Sequence, residues 1–594
     1  MSNPTLQLGG GKWATKQGNI LAYAQGDNTN KVMPRELGFS RAADLAATRV
    51  NKDGLIEKGR ENKFTYSNNF ASSGPWGHHG LANFKSKDSA YPQPQEGYDG
   101  TMNGALITAS VGNETSHHRL QRDNPSFNGT QTISIHVKKS GIYDFFAITT
   151  NFQSRDVYFN LANGTVASEG SDVISSQITP VGNGWYRVSS TIDMNLTAIR
   201  FNICKESGST QFIGDGVSGV LIQDAQWQVG LVPTEYMHSE TTTTGKAGIS
   251  EDLPRIDYTN GSPRLIMEPS RTNLVTDSEG NISQMGGAAT RTYKPNEVNP
   301  TGYKGGVVEL SNLLGADGDR WQVVVDIADS LPSTAKTWTG SMYIKGTSGE
   351  KIDYQIKRNG NGEFEGSGLE TITFDGTWQR ITATFTNDTD NDQAGIFLTN
   401  RASTTADKVL IWGRQIEEGP NATSYIPTYG STDTRVIDQV TDLDMTKLDL
   451  GTTCSVYWEG VIHEATDTYV RPVTTFASHS SQSTDNRFLL FGSSFSGSTY
   501  TLTSRFNSGG ITYGVDKTGL TIGDKIKCLT VIDGTSQKFY VNGTLAGSDT
   551  IPATAVFNSL DLSNVPADIN YTVDDIRFYP TAIDQSEAED LTTI

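Results

Sequence analysis

The chain has 594 residues, 35% hydrophobic and 19% charged, with 61 Gly and 9 Trp, 22 Tyr and 23 Phe. That length exceeds what one core supports, so three or four domains are expected, and so many aromatics exclude a solvated, disordered chain. A net charge of −19 with no basic cluster interleaved with aromatics excludes nucleic acid as a partner, and no run of about 18 apolar residues is present to insert in a membrane.

The opening MSNPTLQLGGGKW lacks the charged-then-apolar layout of a secretory signal, so folding in a cytoplasm is expected. Cys204, Cys454 and Cys528 are few, widely spaced and in strand-like surroundings, which predicts buried reduced thiols. Residues 1–54, with LQLGGGKWATKQGNILAY and FSRAADLAATRVNKDGLI, are turn-rich and short for a core. They are expected to form an N-terminal docking or oligomerisation segment.

From residue 55 the chain is duplicated. SIHVKKSGIYDFFAI from Ser134 recurs as SMYIKGTSGEKIDYQI from Ser341, each a hairpin by its alternation and its Lys/Gly/Ser turn. GNGWYRVSSTIDMN recurs as DGTWQRITATFTND, AIRFNI as AGIFLT, and VLIQDAQWQVGLVPTEYM as VLIWGRQIEEGPNATSYI. The separation shrinks from 207 positions (Ser134 to Ser341) to 189 (Val220 to Val409) while the order is kept, as expected when loops shorten and the fold stays. Two β-sandwiches are predicted, at 55–240 and, after a linker, at 241–434.

From residue 435 the blocks change: CSVYWEGVI, NRFLLFGSS, YTLTSRFNS, KIKCLTVI and QKFYVNGTLAGS are strands with polar turns, and Asn542-Gly543 is a two-residue hairpin signal. A third sandwich is predicted over 435–594, with a helix only in SEAEDLTTI.

Catalytic patterns are scarce. A glycosidase needs two carboxylates flanking one bond. The best pair, Glu417-Glu418, points to opposite faces of a strand. His78-His79 and His117-His118 diverge on extended chain and lack further zinc ligands, so they are expected in exposed loops. Trp185, Trp227, Trp378 and Trp412 sit at duplicated strand positions and are expected in cores. The loop SGPWGHHGLANF…YPQPQEGYDG places Trp76, His78, His79, Tyr91 and Tyr98 among Gly and Pro, and is the predicted contact surface for a glycan or for a neighbouring subunit. Asp388, Asp390 and Asp392, and Asp317 with Asp319, put carboxylates in short turns of the kind that hold calcium.

Phe39, Arg41, Ala47, Thr48, Val50, Asn51, Gly54, Leu55 and Ile56, together with PRIDYTNGSPRLIMEPSRTNL from Pro254, resemble the two halves of a signature found in tailed-phage tail- and head-fibre proteins. The spacing from Arg41 to Ala47 is two residues longer than in that signature, its usual Ser is absent, and a whole jelly roll is interposed between the halves. The blocks ending at Tyr236 and at Tyr425-Ile426-Pro427 resemble the last strand of a carbohydrate-binding jelly roll, and there Glu417 would be a loop or capping residue. FYVNGTLAG and YTVDDIRFYPTAIDQSEAEDL resemble the end of a concanavalin/laminin-G-like domain. The resemblance implies an all-β chain of tandem jelly-roll sandwiches, a concanavalin-like C-terminal sandwich and a small N-terminal docking segment. It further implies a non-enzymatic virion-surface fibre, made in a host bacterial cytoplasm. The chain would be homotrimeric, joined to other virion proteins through its N-terminal segment and adherent to host surface polysaccharide. A purely structural head fibre or decoration protein and a polysaccharide-degrading tailspike are the alternatives. One structural calcium, on Asp388, Asp390 and Asp392, is the only cofactor it suggests.

Overall fold

The computed structural model describes the chain apart from residues 1, 3, 11–14, 17–18, 23–34, 38, 42–44, 72–73, 87–92, 114, 124–128, 194–196, 240–243, 248–253, 281–288, 315–335, 361–362, 367, 387–392, 400–402, 441–442, 449, 464–468, 479–484, 555 and 563–569, and gives backbone alone at 15–16, 19–22, 35–37, 39–40, 246–247, 357–360, 363–366, 393–394, 447 and 469. The fold is all-β, built from antiparallel sheets. Among the described residues the one α-helix is Gln585–Thr592, whose first turn is capped by the Asp584 carboxylate accepting from Glu587 N at 2.9 Å.

Two six-stranded sheets form the first sandwich. One runs Leu81–Lys85, Ala105–Ala109, Gly219–Val229, Thr130–Ser140, Trp185–Asp193, Val173–Gly182; the other runs Thr165–Glu169, Val157–Asn160, Phe145–Thr149, Ala198–Cys204, Arg119–Asp123, Trp76–His79. Period-2 alternation sends Ile133, Ile135 and Val137 inward, against Phe146, Ile148, Phe201 and Ile203 of the facing sheet.

The second sandwich repeats this plan with five strands, Thr290–Lys294, Val307–Ser311, Lys408–Glu418, Thr337–Lys345 and Gln379–Thr386, over a sheet centred on Lys351–Gly360. The duplication reaches single hydrogen bonds. Asn62 donates through Nδ2 to Ala225 O and Met237 O at 3.0 and 2.9 Å; Asn273 donates likewise to Arg414 O and Ile426 O at 3.0 and 2.8 Å. Ser67 meets Tyr236 OH at 2.5 Å as Ser278 meets Tyr425 OH at 2.6 Å. Both long strands bulge at the same place, where Asp224 and Gly413 take positive φ of 56° and 62°.

In the third sandwich the sheet Thr453–Ile462, Lys525–Asp533, Ser536–Val541, Thr544–Thr550 and Tyr571–Tyr579 faces a six-stranded sheet that includes Tyr469–Phe476, Asn486–Ser496, Thr499–Ser508 and Ile511–Thr521. Asn542 and Gly543, at φ 48° and 76°, make the tight turn between Ser536–Val541 and Thr544–Thr550.

Two described strands of the segment to residue 54 join the C-terminal part of the chain. Leu6–Gly9 pairs with Tyr571–Tyr579, and Leu6 and Leu8 lie in the core of the third sandwich. Phe39–Ser40 pairs with Gln439–Val440. The hairpin Ile256–Asp257/Arg264–Met267, expected in the linker before the second jelly roll, also pairs onto Tyr571–Tyr579. Short apolar strands cannot stand alone in water, and these complete a sheet that already has a core.

The two halves of the fibre-like signature converge on the fully buried Asp438. Its carboxylate accepts from Arg41 Nη1 at 3.0 Å and Arg255 Nε at 3.2 Å, and also pairs with Arg255 Nη2. Glu268 accepts from Ser424 N and Oγ at 2.7 and 2.6 Å and lies 2.6 Å from Arg255 Nη1 and 3.2 Å from Arg435 Nη1. Burial alone would raise the Glu268 carboxyl, but Arg435, Arg255 and the Ser424 donors hold it well below the usual carboxylate range. The hub thus ties together the 41–50 segment, the 254–268 hairpin, the closing loop of the second sandwich and the entry to the third.

Candidate ligand-binding cleft

The hairpin Thr48–Val50/Ile56–Lys58 turns at Asn51–Gly54, where the Asn51 carboxamide accepts from Asp53 N and Leu55 N, both at 3.0 Å, and Gly54 takes φ 76°. Thr48 Oγ1 donates to Tyr425 O at 2.6 Å, which lays the hairpin on the second sandwich and sets Ile56 against Trp412, Tyr425 and Val307. Where this hairpin passes between the jelly rolls it leaves a cleft of about 440 Å³.

Its lining carries Lys58, Arg60 and Lys63, the carboxylates Glu57, Glu61 and Asp433, and the rings of Tyr303 and Tyr429. Three cations face three carboxylates, so the cleft carries no net charge. Lys58 Nζ donates to Glu279 Oε1 at 2.6 Å and to Tyr429 OH at 2.7 Å, and Tyr425 and Tyr429 each donate to the same Glu279 oxygen at 3.0 Å. Burial and the Glu279 charge hold the Tyr429 hydroxyl protonated, well above its ordinary value. Arg60 donates to Tyr303 OH at 3.1 Å, and Glu57 is clamped by Arg49 at 2.7 and 2.9 Å. The lining therefore offers fixed donors and acceptors beside two tyrosine rings, the chemistry that suits a hydroxyl-rich ligand.

The described residues of the predicted contact loop do not gather into such a surface. Trp76 lies on the edge strand Trp76–His79 and is buried in the core at 1% exposure between Phe64, Phe70 and Phe201. Its indole donates to Tyr66 O at 3.0 Å, so neither ring face is left for a sugar. His78 is half-buried against Phe84 with its Nε2 2.7 Å from Phe70 O, while His79 alone of these is exposed. Tyr98 lies over the opposite sheet, stacked on His136 at 3.8 Å and donating to Asp224 at 3.0 Å. These residues do not converge, and Tyr91 lies outside the described residues. So do Asp388, Asp390 and Asp392, and Asp317 with Asp319; among the described residues no group of three His, Cys, Asp or Glu could hold a metal ion.

Two further expectations change. His118, just before the strand Arg119–Asp123, is fully buried, its ring nitrogens 2.5 Å from Gly80 O and 2.8 Å from Phe212 O. Glu417 is a buried strand residue accepting from Thr423 N at 2.8 Å, and Glu418 is exposed and paired with Lys336 at 2.6 Å. Of the four duplicated tryptophans only Trp227 is in a main core; Trp185, Trp378 and Trp412 lie on the far face of their sheets. The cleft residues Lys58, Arg60, Tyr303 and Tyr429 were not foreseen. Their one signal is that Lys58 and Arg60 directly follow the signature segment.

No protein-family model matches the chain, and a search of curated proteins finds no match. Similar solved structures include the Ruminococcus gnavus IT-sialidase CBM40 bound to alpha2,3 sialyllactose, at 11% identity and TM-score 0.21 over 26% of this chain and 92% of that one. The N-terminal CBM22-1-CBM22-2 tandem domain of Paenibacillus barcinonensis Xyn10C aligns at 11% identity and TM-score 0.22 over 64% of this chain and 99% of that one. Domains LG4-5 of the mouse laminin alpha1 chain align at 9% identity and TM-score 0.18 over 53% and 91%. With similarity of this size, the fold assignment rests on the strand pairing of this chain itself.

Proposed function

We propose that the chain is a non-catalytic adhesion protein that holds an uncharged, hydroxyl-rich glycan in the cleft between its two jelly rolls. The observation that carries this reading is the charge-balanced cleft of about 440 Å³ with Tyr303 and Tyr429 among fixed hydrogen-bonding groups. Of its three carboxylates, Glu57 is engaged with Arg49 and Glu61 with Lys63, which leaves Asp433, raised by burial, without a free ionised partner for cleaving a glycosidic bond. The meeting of both signature halves at Asp438 supports assignment to the tailed-phage fibres, on the virion surface after synthesis in the host cytoplasm, with host envelope polysaccharide as the ligand. Self-association as a trimer would multiply weak sites into avidity. Val111, Ile142, Ile213 and Val217, exposed on loops at one end of the first sandwich, offer an apolar surface for it.

The second reading is a purely structural head fibre or decoration protein. It is favoured by the hairpin Thr48–Val50/Ile56–Lys58, which fills the aromatic face of the second jelly roll with the chain's own residues.

The test uses the intact protein and neutral polysaccharide from bacterial envelopes. Retention that falls about tenfold or more in Tyr303→Ala, with no shortening of the polysaccharide, is the expected result. Absence of retention supports the structural reading, and shortened chains restore the tailspike.

A further inference from the structure

The six-stranded sheet of the C-terminal sandwich carries a feature that the cleft does not use. Phe488, Leu490 and Phe506 point into the core, so the alternate residues of the same strands form the opposite face. There Thr474, Leu489 and Arg505 stand in one cross-strand row, and Phe476, Arg487 and Asn507 in the next. Arg471 on the neighbouring strand Tyr469–Phe476 and Arg505 lie close enough to act on Arg487, whose guanidinium is depressed first by burial and then by these two like charges.

Leu489 and Phe491 on this face are each only 2% exposed, and the Arg505 guanidinium lies 4.2 Å from the Phe491 ring centroid. The polar heads are another matter. Among the described residues Arg487 and Arg505 have no hydrogen bond and no ion pair, and the Nε of each is buried without a partner. Thr474 Oγ1 and Asn507 Oδ1, in the same two rows, are also buried without a partner, Thr474 at 1% exposure. The carboxylates of this face do not serve the pair: Asp516 accepts from Thr503 at 2.7 Å, Asp561 is buried on the far strand opposite Thr474, and Asp485 acts on Arg487 only through space. Two adjacent guanidinium groups with no anion bonded to either, in a chain of net charge −19, are costly unless something supplies them.

We infer that this sheet face is a second binding site, for an acidic polysaccharide whose carboxylates bridge Arg487 and Arg505. The guanidinium fork matches a carboxylate in a bidentate manner. The unpartnered Asn507 oxygen calls for a donor and the Thr474 hydroxyl for a partner, and sugar hydroxyls give both where a simple anion gives no donor. A long nucleic acid would meet the repulsion of the whole acidic chain. The inference rests on the adhesive reading only in choosing a glycan among anions, since the site is separate from the cleft.

The probe is polygalacturonate, with neutral dextran and duplex DNA as comparators and the full chain as the protein. Retention on polygalacturonate at low salt, lost in high salt and absent on dextran, is expected. Arg487→Gln with Arg505→Gln should weaken it about tenfold or more, while Arg505→Lys, which keeps the charge and the stem, should retain part of it. An unchanged unfolding midpoint in Arg505→Gln alone guards against a folding defect. Equal retention of the double variant, no retention of the native chain, or equally tight binding of DNA each overturns the proposal. Retention of neutral envelope polysaccharide should be unaffected by Arg487→Gln with Arg505→Gln, so failure of one site is separable from failure of the other.

Discussion

His136 and Asp224, buried side by side beneath Tyr98, titrate in opposite senses, and the stability of the first sandwich should show it. Burial, reinforced by Arg187, lowers the His136 imidazole to about 3, and burial raises the Asp224 carboxyl to about 6. The folded histidine binds less proton than the unfolded chain between about pH 3 and 6.5, so its contribution is present above that window and lost as pH falls through it. The folded aspartate binds more proton between about pH 4 and 6, so its contribution is present below that window and lost as pH rises. At about 1.4 kcal/mol per unit, the two windows are worth roughly 5 and 3 kcal/mol, and the native protein gains only the difference on going from pH 3 to 7. Asp224→Asn removes the opposing contribution. Asn tolerates the positive φ of 56° at this bulge and can still accept from Tyr98, so the variant should match the native stability near pH 4 and exceed it by about 1–3 kcal/mol at pH 7. His136→Asn should invert the slope, with stability falling from pH 4 to pH 7. The assay is hydrogen exchange, corrected for intrinsic rates, in peptides from Thr130–Ser140 and Trp185–Asp193. The same pH slope in Asp224→Asn and the native protein would refute the reasoning.

Trp76→Ala should cost about 3–5 kcal/mol, read as a lower urea midpoint, because it empties a site among Phe64, Phe70 and Phe201; a surface contact residue would leave the midpoint unchanged. Asp438→Asn should cost a similar 3–5 kcal/mol by leaving Arg41 and Arg255 without their shared carboxylate, and should loosen the second and third sandwiches together in hydrogen exchange. Loosening confined to one sandwich would show that the hub does not join them.

The duplicated sandwiches were legible because strand alternation and turn chemistry are local. Arg187 and Arg380, which donate to Ser134 and Ser341 at 3.1 and 2.8 Å, sit with their partners in the matched blocks. Strand exchange between blocks was hidden. Leu6–Gly9 has the alternation of a strand, but its partner lies more than 560 positions away, and nothing local specifies which edge it joins. Trp76 misled because Gly and Pro around it look like loop, while burial among aromatics is decided by the facing sheet. The cleft was illegible for a similar reason: Lys58, Tyr303 and Tyr429 are brought together only by the hairpin that crosses between sandwiches.

The divergence of the two copies gives the cleft its position. At matched places on the sheet face, His136, Gln223 and Asp224 of the first copy stand where the second has Tyr343, Trp412 and Gly413. The polar set is covered by a polar loop, with Tyr98 N bonded to Gln223 at 3.0 Å. The aromatic set makes a surface too apolar to leave in water, and the chain covers it with Ile56 and the stem of Lys58, whose ammonium lies 5.7 Å from the Trp412 ring centroid. Once Lys58 is committed to that cover, its charge must find Glu279 and Tyr429 at the rim, and those groups become one wall of the cleft. The proposed adhesive site is thus a consequence of burying the second copy's aromatic face: Trp412→Gln would remove the reason for the hairpin to lie there, and with it the wall.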